Sequence, residues 1–207
     1  MKSILTFCTL LFINVLLLLS SCKHTEPEAK ETYVLDNNSV AEWKGSSPAL
    51  FHEGDFSVSS TNLKVVNAKI KSGTFTIPIA SIRNFDLSEE VKPQLLNHLK
   101  SPDFFNLALY PEASFTIVQV TPYTGKESTA IIGANYLVNG NFTLLGKTNS
   151  ISFPAKININ NKKLTAEATF TLDRTKWGMN YAADPALGEH HILPAVSIHL
   201  LLNGHRS

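Results

Sequence analysis

Along most of this chain, apolar and polar residues alternate with a period of two. Ile151, Phe153, Ala155, Ile157 and Ile159 alternate with Ser152, Pro154, Lys156 and Asn158. After Asn160, Asn161 and Lys162 the alternation resumes, with Leu164, Ala166, Ala168, Phe170 and Leu172 set against Thr165, Glu167, Thr169 and Thr171. Successive side chains of a strand point to opposite faces, so this stretch predicts a long antiparallel hairpin with one dry and one wet face. Pro154 falls on the polar side and has no N–H for a ladder, which predicts an edge or a bulge at that point. Similar runs occupy residues 40–44, 63–66, 69–79, 114–121, 130–145 and 196–202, separated by turn-rich pieces such as 122–126. About eight strands in succession, with few crossovers, predict an all-β antiparallel barrel or sandwich.

One stretch breaks the period. Leu87, Val91, Leu95 and Leu99 recur every four residues, and Ser88 followed by Glu89 and Glu90 predicts a helix start with acids in its first turn. Pro93 predicts that the regular helix begins only near that residue. Ser101, Pro102 and Asp103 then predict a second short turn, with a serine cap and proline at its first position. The helical insertion spans about 87–106, and its Phe104 and Phe105 are expected to point into the body, making a lid over one end of the sheet.

The first 22 residues have another character. Lys2 precedes an almost unbroken apolar run from residue 4 to 19, and Leu19, Ser20 and Ser21 lead into Cys22. That order reads as a bacterial lipoprotein signal, 1–21, whose removal leaves Cys22 as a lipidated, palmitate-bearing N-terminus. The run is short for a membrane span and stops at a cysteine, which disfavours an uncleaved anchor. Several acyl chains on one cysteine hold a protein to a membrane stably, where a single chain does not. Residues 22–32 read as the lipidated cysteine and a polar tether, and 33–204 as one domain. Cys8, the only other cysteine, lies in the signal, so the mature chain is expected to lack disulfides and thiol chemistry.

Charge narrows the partners. The chain carries 18 Lys+Arg against 17 Asp+Glu, and removing Lys2 leaves 17 of each, with no basic stripe to follow a phosphate backbone. Nucleic acid is therefore not an expected partner. Glu189, His190 and His191 invite a metal reading, but adjacent residues of an extended segment project to opposite faces, so no metal site is assigned. No His-Glu-x-x-His, Gly-x-Ser-x-Gly or phosphate-cradling loop occurs, and no catalytic residue is assigned. His98 is expected to be partly buried beside Leu95 and Leu99.

Several segments together resemble one family. His98-Leu-Lys-Ser-Pro-Asp-Phe-Phe105 followed by Tyr110-Pro-Glu-Ala-Ser-Phe115, then residues 138–148 (VNGNFTLLGKT), then 173–181 (DRTKWGMNY), match in order and spacing the YceI-like family of envelope lipid-binding proteins. The resemblance spans about Trp43 to Leu201. It departs at residues 49–54 (ALFHEG), where the family's early strand carries histidine in a valine- and lysine-rich context, and at Pro194, which stands where an acid is expected. The resemblance implies a lipocalin-like antiparallel β-barrel around an elongated apolar tunnel, and members that bind polyisoprenoids or other long-chain amphiphiles.

A barrel of about eight strands is wide enough to be filled by its own side chains or to hold one ligand. The small Ala166 and Ala168 make room on the dry face, and Phe75, Phe104, Phe115, Phe142, Phe153, Phe170 and Trp177 are candidates to wall a slot. Each of these aromatics is equally at home as packed core. At ~0.8 kcal/mol per buried CH₂, about fifteen ligand carbons contribute ~12 kcal/mol gross, enough to offset ordering costs without a charged contact. His52, Arg174, His190 and His191 are the candidate head-group contacts, with Arg174 also read as half of a structural ion pair with Asp173. The expected ligand is an amphiphilic lipid, an isoprenoid or isoprenoid quinone among the options, with no other cofactor and no turnover. The alternatives are a solid barrel acting through its outer surface, and an enzyme acting on a bound lipid, for which no converging polar pair is legible. The expected address is the cell envelope as a lipoprotein attached through Cys22. By resemblance to enteric lipoproteins, in which an aspartate after the cysteine retains the protein in the inner membrane, Lys23 implies the outer membrane, facing the periplasm, with surface exposure and a homodimer left open.

Overall fold

The computed structural model describes residues 30–125 and 130–207, so the expected signal, the lipidated Cys22 and residues 23–29 lie outside the described residues. Twelve strands form one antiparallel sheet: β1 Lys30–Leu35, β2 Val40–Ser46, β3 Phe51–Ser57, β4 Leu63–Val66, β5 Lys69–Ser72, β6 Thr74–Pro78, β7 Arg83–Asn84, β8 Glu112–Pro122, β9 Tyr136–Leu144, β10 Lys147–Asn160, β11 Lys163–Asp173 and β12 Ala195–Arg206. A single α-helix, α1 Lys92–Lys100, stands among the described residues.

Three pairs of these strands are broken halves of one longer strand. β12 pairs with β2 along its first half and with β1 near its end, β3 and β4 stand beside β2 and β1, and β5 and β6 meet at Gly73 while pairing with β4 and β8. Counting each pair once leaves eight positions around a nearly closed antiparallel barrel, with the two-residue β7 added beside β3. Closure of this kind protects strand edges.

The hairpin turns explain the register. β4–β5, β9–β10 and β10–β11 are joined through Asn67-Ala68, Leu145-Gly146 and Asn161-Lys162, every one of which has positive φ. Two-residue loops of this handedness match the twist of the flanking strands.

Some expected boundaries move. β1 takes in Lys30, Glu31 and Thr32, which the sequence reading assigns to a tether running to residue 32. Polar composition hid the strand, but Lys30–Tyr33 pair with Val66–Leu63 through the backbone, which needs no apolar side chain. The run 69–79 splits at Gly73, where an added Cβ would meet Leu63 Cδ2 at 2.4 Å. Only 136–144 of the run 130–145 is strand; Asn135 instead bonds Ile157 with its side-chain amide, donating to the carbonyl at 2.9 Å and accepting from the N–H at 2.8 Å, which mimics a strand neighbour. The helix start does not move: it lies at Lys92 with Pro93 in the first turn, as that proline predicts, and residues 88–91 form only a turn closed by Lys92 N–H to Ser88 O at 2.9 Å. After it, Ser101 Oγ accepts from Asp103 N–H at 3.3 Å, as its cap position predicts.

Candidate functional site

Alternation puts one face of every strand inside the barrel, and those faces do not meet. They enclose a cavity of about 420 Å³, within the range of sites that enclose most of a small ligand. Its wall is almost wholly apolar. All nine residues picked out by type, Phe75, Phe104, Phe115, Phe142, Phe153, Ala166, Ala168, Phe170 and Trp177, line it. Ala41, Ala155, Ala166 and Ala168 keep the lower half open between larger neighbours. A second layer, with Trp43, Phe56, Ile79, Ile82, Leu144 and Met179, surrounds the upper half.

Aromatic contacts hold the walls in place. Phe153 and Phe170 stack with centroids 4.2 Å apart, and Phe142 meets Trp177 edge-on at 5.3 Å. Trp177 is 2% exposed and donates its indole N–H to Phe142 O at 3.0 Å, so its burial leaves no orphan donor. Gly140 lets the Phe115 ring reach the wall, because a Cβ there would lie 2.2 Å from Phe115 Cζ.

The mouth lies at the end where β2 turns into β3. Ser46, Ser47, Leu50, Phe51 and His52 contribute from that hairpin, Leu95 and Leu99 from α1 and Leu193 from the loop before β12. Leu50 is 69% exposed, and Lys44 Nζ sits 3.6 Å from the Phe51 ring centroid. The helical insertion therefore acts as the expected lid: Phe104 is buried, and His98 packs against Phe104 and Tyr181 while bonding Asp103 at 3.0 Å.

The four head-group candidates separate. His52 stands at the mouth, with Nδ1 2.7 Å from Asp86 Oδ2. Burial tends to raise the Asp86 carboxyl pKa, but hydrogen bonds from the Glu53 N–H, His52 and the Asn84 amide outweigh it and hold the group below its usual range. Arg174 lines the cavity but is 4% exposed, and its guanidinium donates to the carbonyls of Leu193 at 3.2 Å, Met179 at 2.6 Å and Ile192 at 2.6 Å. It is a staple that ties the loops over the barrel end, which corrects its head-group assignment. Asp173 instead caps the following turn by accepting from Thr175 N–H at 3.0 Å and Oγ1 at 2.6 Å, so the expected ion pair is a cap and a carbonyl cage. Burial lowers the Arg174 pKa, and the adjacent Asp173 charge opposes it. His190 and His191 are corrected as well. His190 is exposed, His191 is buried, and neither lines the cavity, although the next two residues, Ile192 and Leu193, do.

Sequence reasoning missed the contributions of β2 and β12. Trp43, Ile198, Leu200 and Leu202 line the cavity, and their period-two spacing was a sufficient signal. Asp86, the partner of His52 in space but 34 residues away, had no such signal. The indole N–H of Trp43 and Nε2 of His191 are buried without a hydrogen-bond partner among the described residues. Among those residues no three of His, Cys, Asp and Glu converge as a metal site, and no helix is long and apolar enough to cross a membrane.

Comparisons with known proteins agree with this architecture. The family profile of the YceI-like domain matches residues 33–203. The fold is similar to that of BcnA from Burkholderia cenocepacia, with a TM-score of 0.62 at 22% identity, covering 82% of this chain and 98% of that one. It is equally similar to a polyisoprenoid binding domain from Saccharophagus degradans implicated in plant cell wall breakdown, with a TM-score of 0.62 at 12% identity over 86% and 99% of the two chains. No curated protein matches the chain.

Proposed function

The chain belongs to the YceI-like domain family, and from that premise we propose that it binds a long-chain amphiphile, of isoprenoid type, inside the barrel and carries or sequesters it without chemical turnover. One observation carries this reading: the inward faces of the strands leave an apolar cavity of about 420 Å³ where a solid barrel would have packed core. Empty apolar space forfeits dispersion contacts on every lining atom, so a hydrocarbon chain that fills it is stabilised. The neighbour described as polyisoprenoid-binding accords with such a ligand. Inside the barrel, recognition through area reads chain length and leaves the head group to contacts outside the cavity.

The proposed address is the cell envelope, with Cys22 lipidated, the outer membrane favoured, and the barrel in reach of the lipid it handles. Replacing Cys22 by serine and following the protein between membrane and soluble fractions tests the anchor, which requires the variant to leave the membrane.

Calorimetric titration with polyprenols of increasing length tests the binding. Each added isoprene unit should tighten binding until the cavity is full, after which the affinity levels off. An affinity independent of chain length, or no binding at any length, would overturn the reading and favour a solid barrel that acts through its outer surface.

A further inference from the structure

The barrel wall is incomplete on one side. β10 pairs with β9 along residues 147–155, but with β11 only from Lys156↔Glu167 to Asn160↔Lys163. Continued in register, Pro154 would face Thr169, Ser152 would face Thr171 and Ser150 would face Asp173. Residues 168–173 of β11 pair instead with β12 alone.

Pro154 explains where the ladder stops. Ala155 O accepts from Asn135 N–H, and Ile157 N–H donates to the Asn135 side chain, so odd-numbered residues here turn their backbone groups toward β9. Even-numbered residues turn theirs toward β11. Pro154 is thus the next required donor beyond the paired segment, and it has no N–H.

A slot opens beyond it. The Phe153–Phe170 stack closes one end, and Trp177, with Asn149 Nδ2 donating to Lys176 O at 3.2 Å, closes the other. Ile151, Phe170, Leu172 and Trp177 line both the slot and the main cavity, so only these side chains stand between the two. The outer rim is polar, with Ser150, Ser152, Thr171, Asp173 and Lys176. Lys147 stands near that end of the slot, its Nζ lying 2.6 Å from where a Cβ on Gly178, the residue after Trp177, would be. Both lysines are exposed, and among the described residues neither ammonium makes a hydrogen bond or close ion pair. Asp173, the carboxylate on the rim, accepts from Thr175 through Oδ1; those hydrogen bonds, with the charges of Lys176 and Arg174, hold its pKa below the usual range, so it stays ionised and an anionic head group must sit on the side of Lys176 away from it.

We propose that this seam is a lateral portal to the cavity, opened when the side chains between slot and cavity part, and that Lys176 on its rim and the nearby Lys147 form a subsite for an anionic, phosphate-type head group. The proposal rests on the lipid-binding reading above and deepens it. Through a slot in the wall the chain of an amphiphile can swing into the cavity while its head group stays in water. The backbone N–H groups of Ser150, Ser152 and Thr171, unused by the sheet across the seam, add donors for phosphate oxygens.

Geranylgeranyl phosphate and geranylgeraniol, titrated against the full chain and its Lys147→Gln/Lys176→Gln variant, test the subsite. The wild type should prefer the phosphate by about tenfold, two exposed charge contacts' worth, and the preference should shrink with salt. The variant should lose the preference while holding the alcohol as tightly as before. No preference in the wild type, or one the variant retains, overturns the subsite. Failure of the wild type to bind either compound counts against the lipid-binding reading instead. For the portal, a thiol cross-linker joining Ser152→Cys to Thr171→Cys should slow uptake of the alcohol at least about tenfold relative to the same variant before cross-linking; uptake at an unchanged rate overturns it.

Discussion

Replacing Ala168 by phenylalanine puts the open-cavity account at risk on two independent readouts. Ala168 is 2% exposed, lies on the dry face of β11 opposite Leu200, and lines the cavity. The substitution adds a six-carbon ring that projects into space a ligand chain would fill. Excluding about six ligand carbons at ~0.8 kcal/mol each removes ~5 kcal/mol of binding, between three and four orders of magnitude in Kd. Folding should respond in the opposite sense to intuition. In a packed core the same ring costs ~1–3 kcal/mol of overpacking, whereas a ring entering empty apolar space should change stability by less than ~1 kcal/mol. Calorimetry with geranylgeraniol and urea unfolding of the apo protein give the two numbers. Thr165→Phe, at an exposed position of the same strand, is the control and should bind like the wild type. Ala168→Phe that binds normally, or that unfolds with a loss above ~1 kcal/mol, refutes the open cavity.

Other outcomes follow from the same geometry. Arg174→Met should cost on the order of 3 kcal/mol in denaturant unfolding, because three loop carbonyls lose a charged donor, and Arg174→Lys should recover only part of it, since an ammonium cannot reproduce the fork. Trp43→Phe should change stability by less than ~1 kcal/mol, because the buried indole N–H it removes has no partner to lose. His199 on β12 is flanked by Glu42 of β2 at 2.8 Å and Glu167 of β11 at 3.3 Å. Burial alone would lower its pKa, but the hydrogen bonds and charges of the two carboxylates raise it above the ordinary 6.5. A raised folded-state pKa contributes stability that is fully present below 6.5 and lost as pH rises through the raised value. Melting temperature should therefore fall across that window, and His199→Gln should flatten the decline. Arg83→Met should destabilise the fold by ~2 kcal/mol, because Asp55, 5% exposed at its side chain, loses a bidentate partner.

Period-two alternation carried most of the barrel, because a side chain's face follows from its parity in the strand. Ala166 and Ala168 were readable as cavity-lining for the same reason. The helical lid was legible from Leu95 and Leu99, and its start beside Pro93 from that proline. Strand β1 was hidden because Lys30, Glu31 and Thr32 pair through the backbone and leave no apolar mark. The structural role of Arg174 was legible beside Asp173, but its partners were not: they are main-chain carbonyls, and main-chain acceptors carry no sequence signature. Pro154 was legible as a disturbance, but seeing that it opens the β10–β11 seam requires the parity of backbone groups set by Asn135. His190 and His191 drew attention as a motif, yet neither lines the cavity, which takes its contacts from Ile192 and Leu193 just after them.

Native mass spectrometry of the mature protein released from a bacterial envelope, with extraction of whatever it carries, tests the central claim most directly. The account predicts one long-chain amphiphile per barrel, displaced by added polyprenol. A clean apo mass that geranylgeraniol and geranylgeranyl phosphate leave unchanged would contradict it.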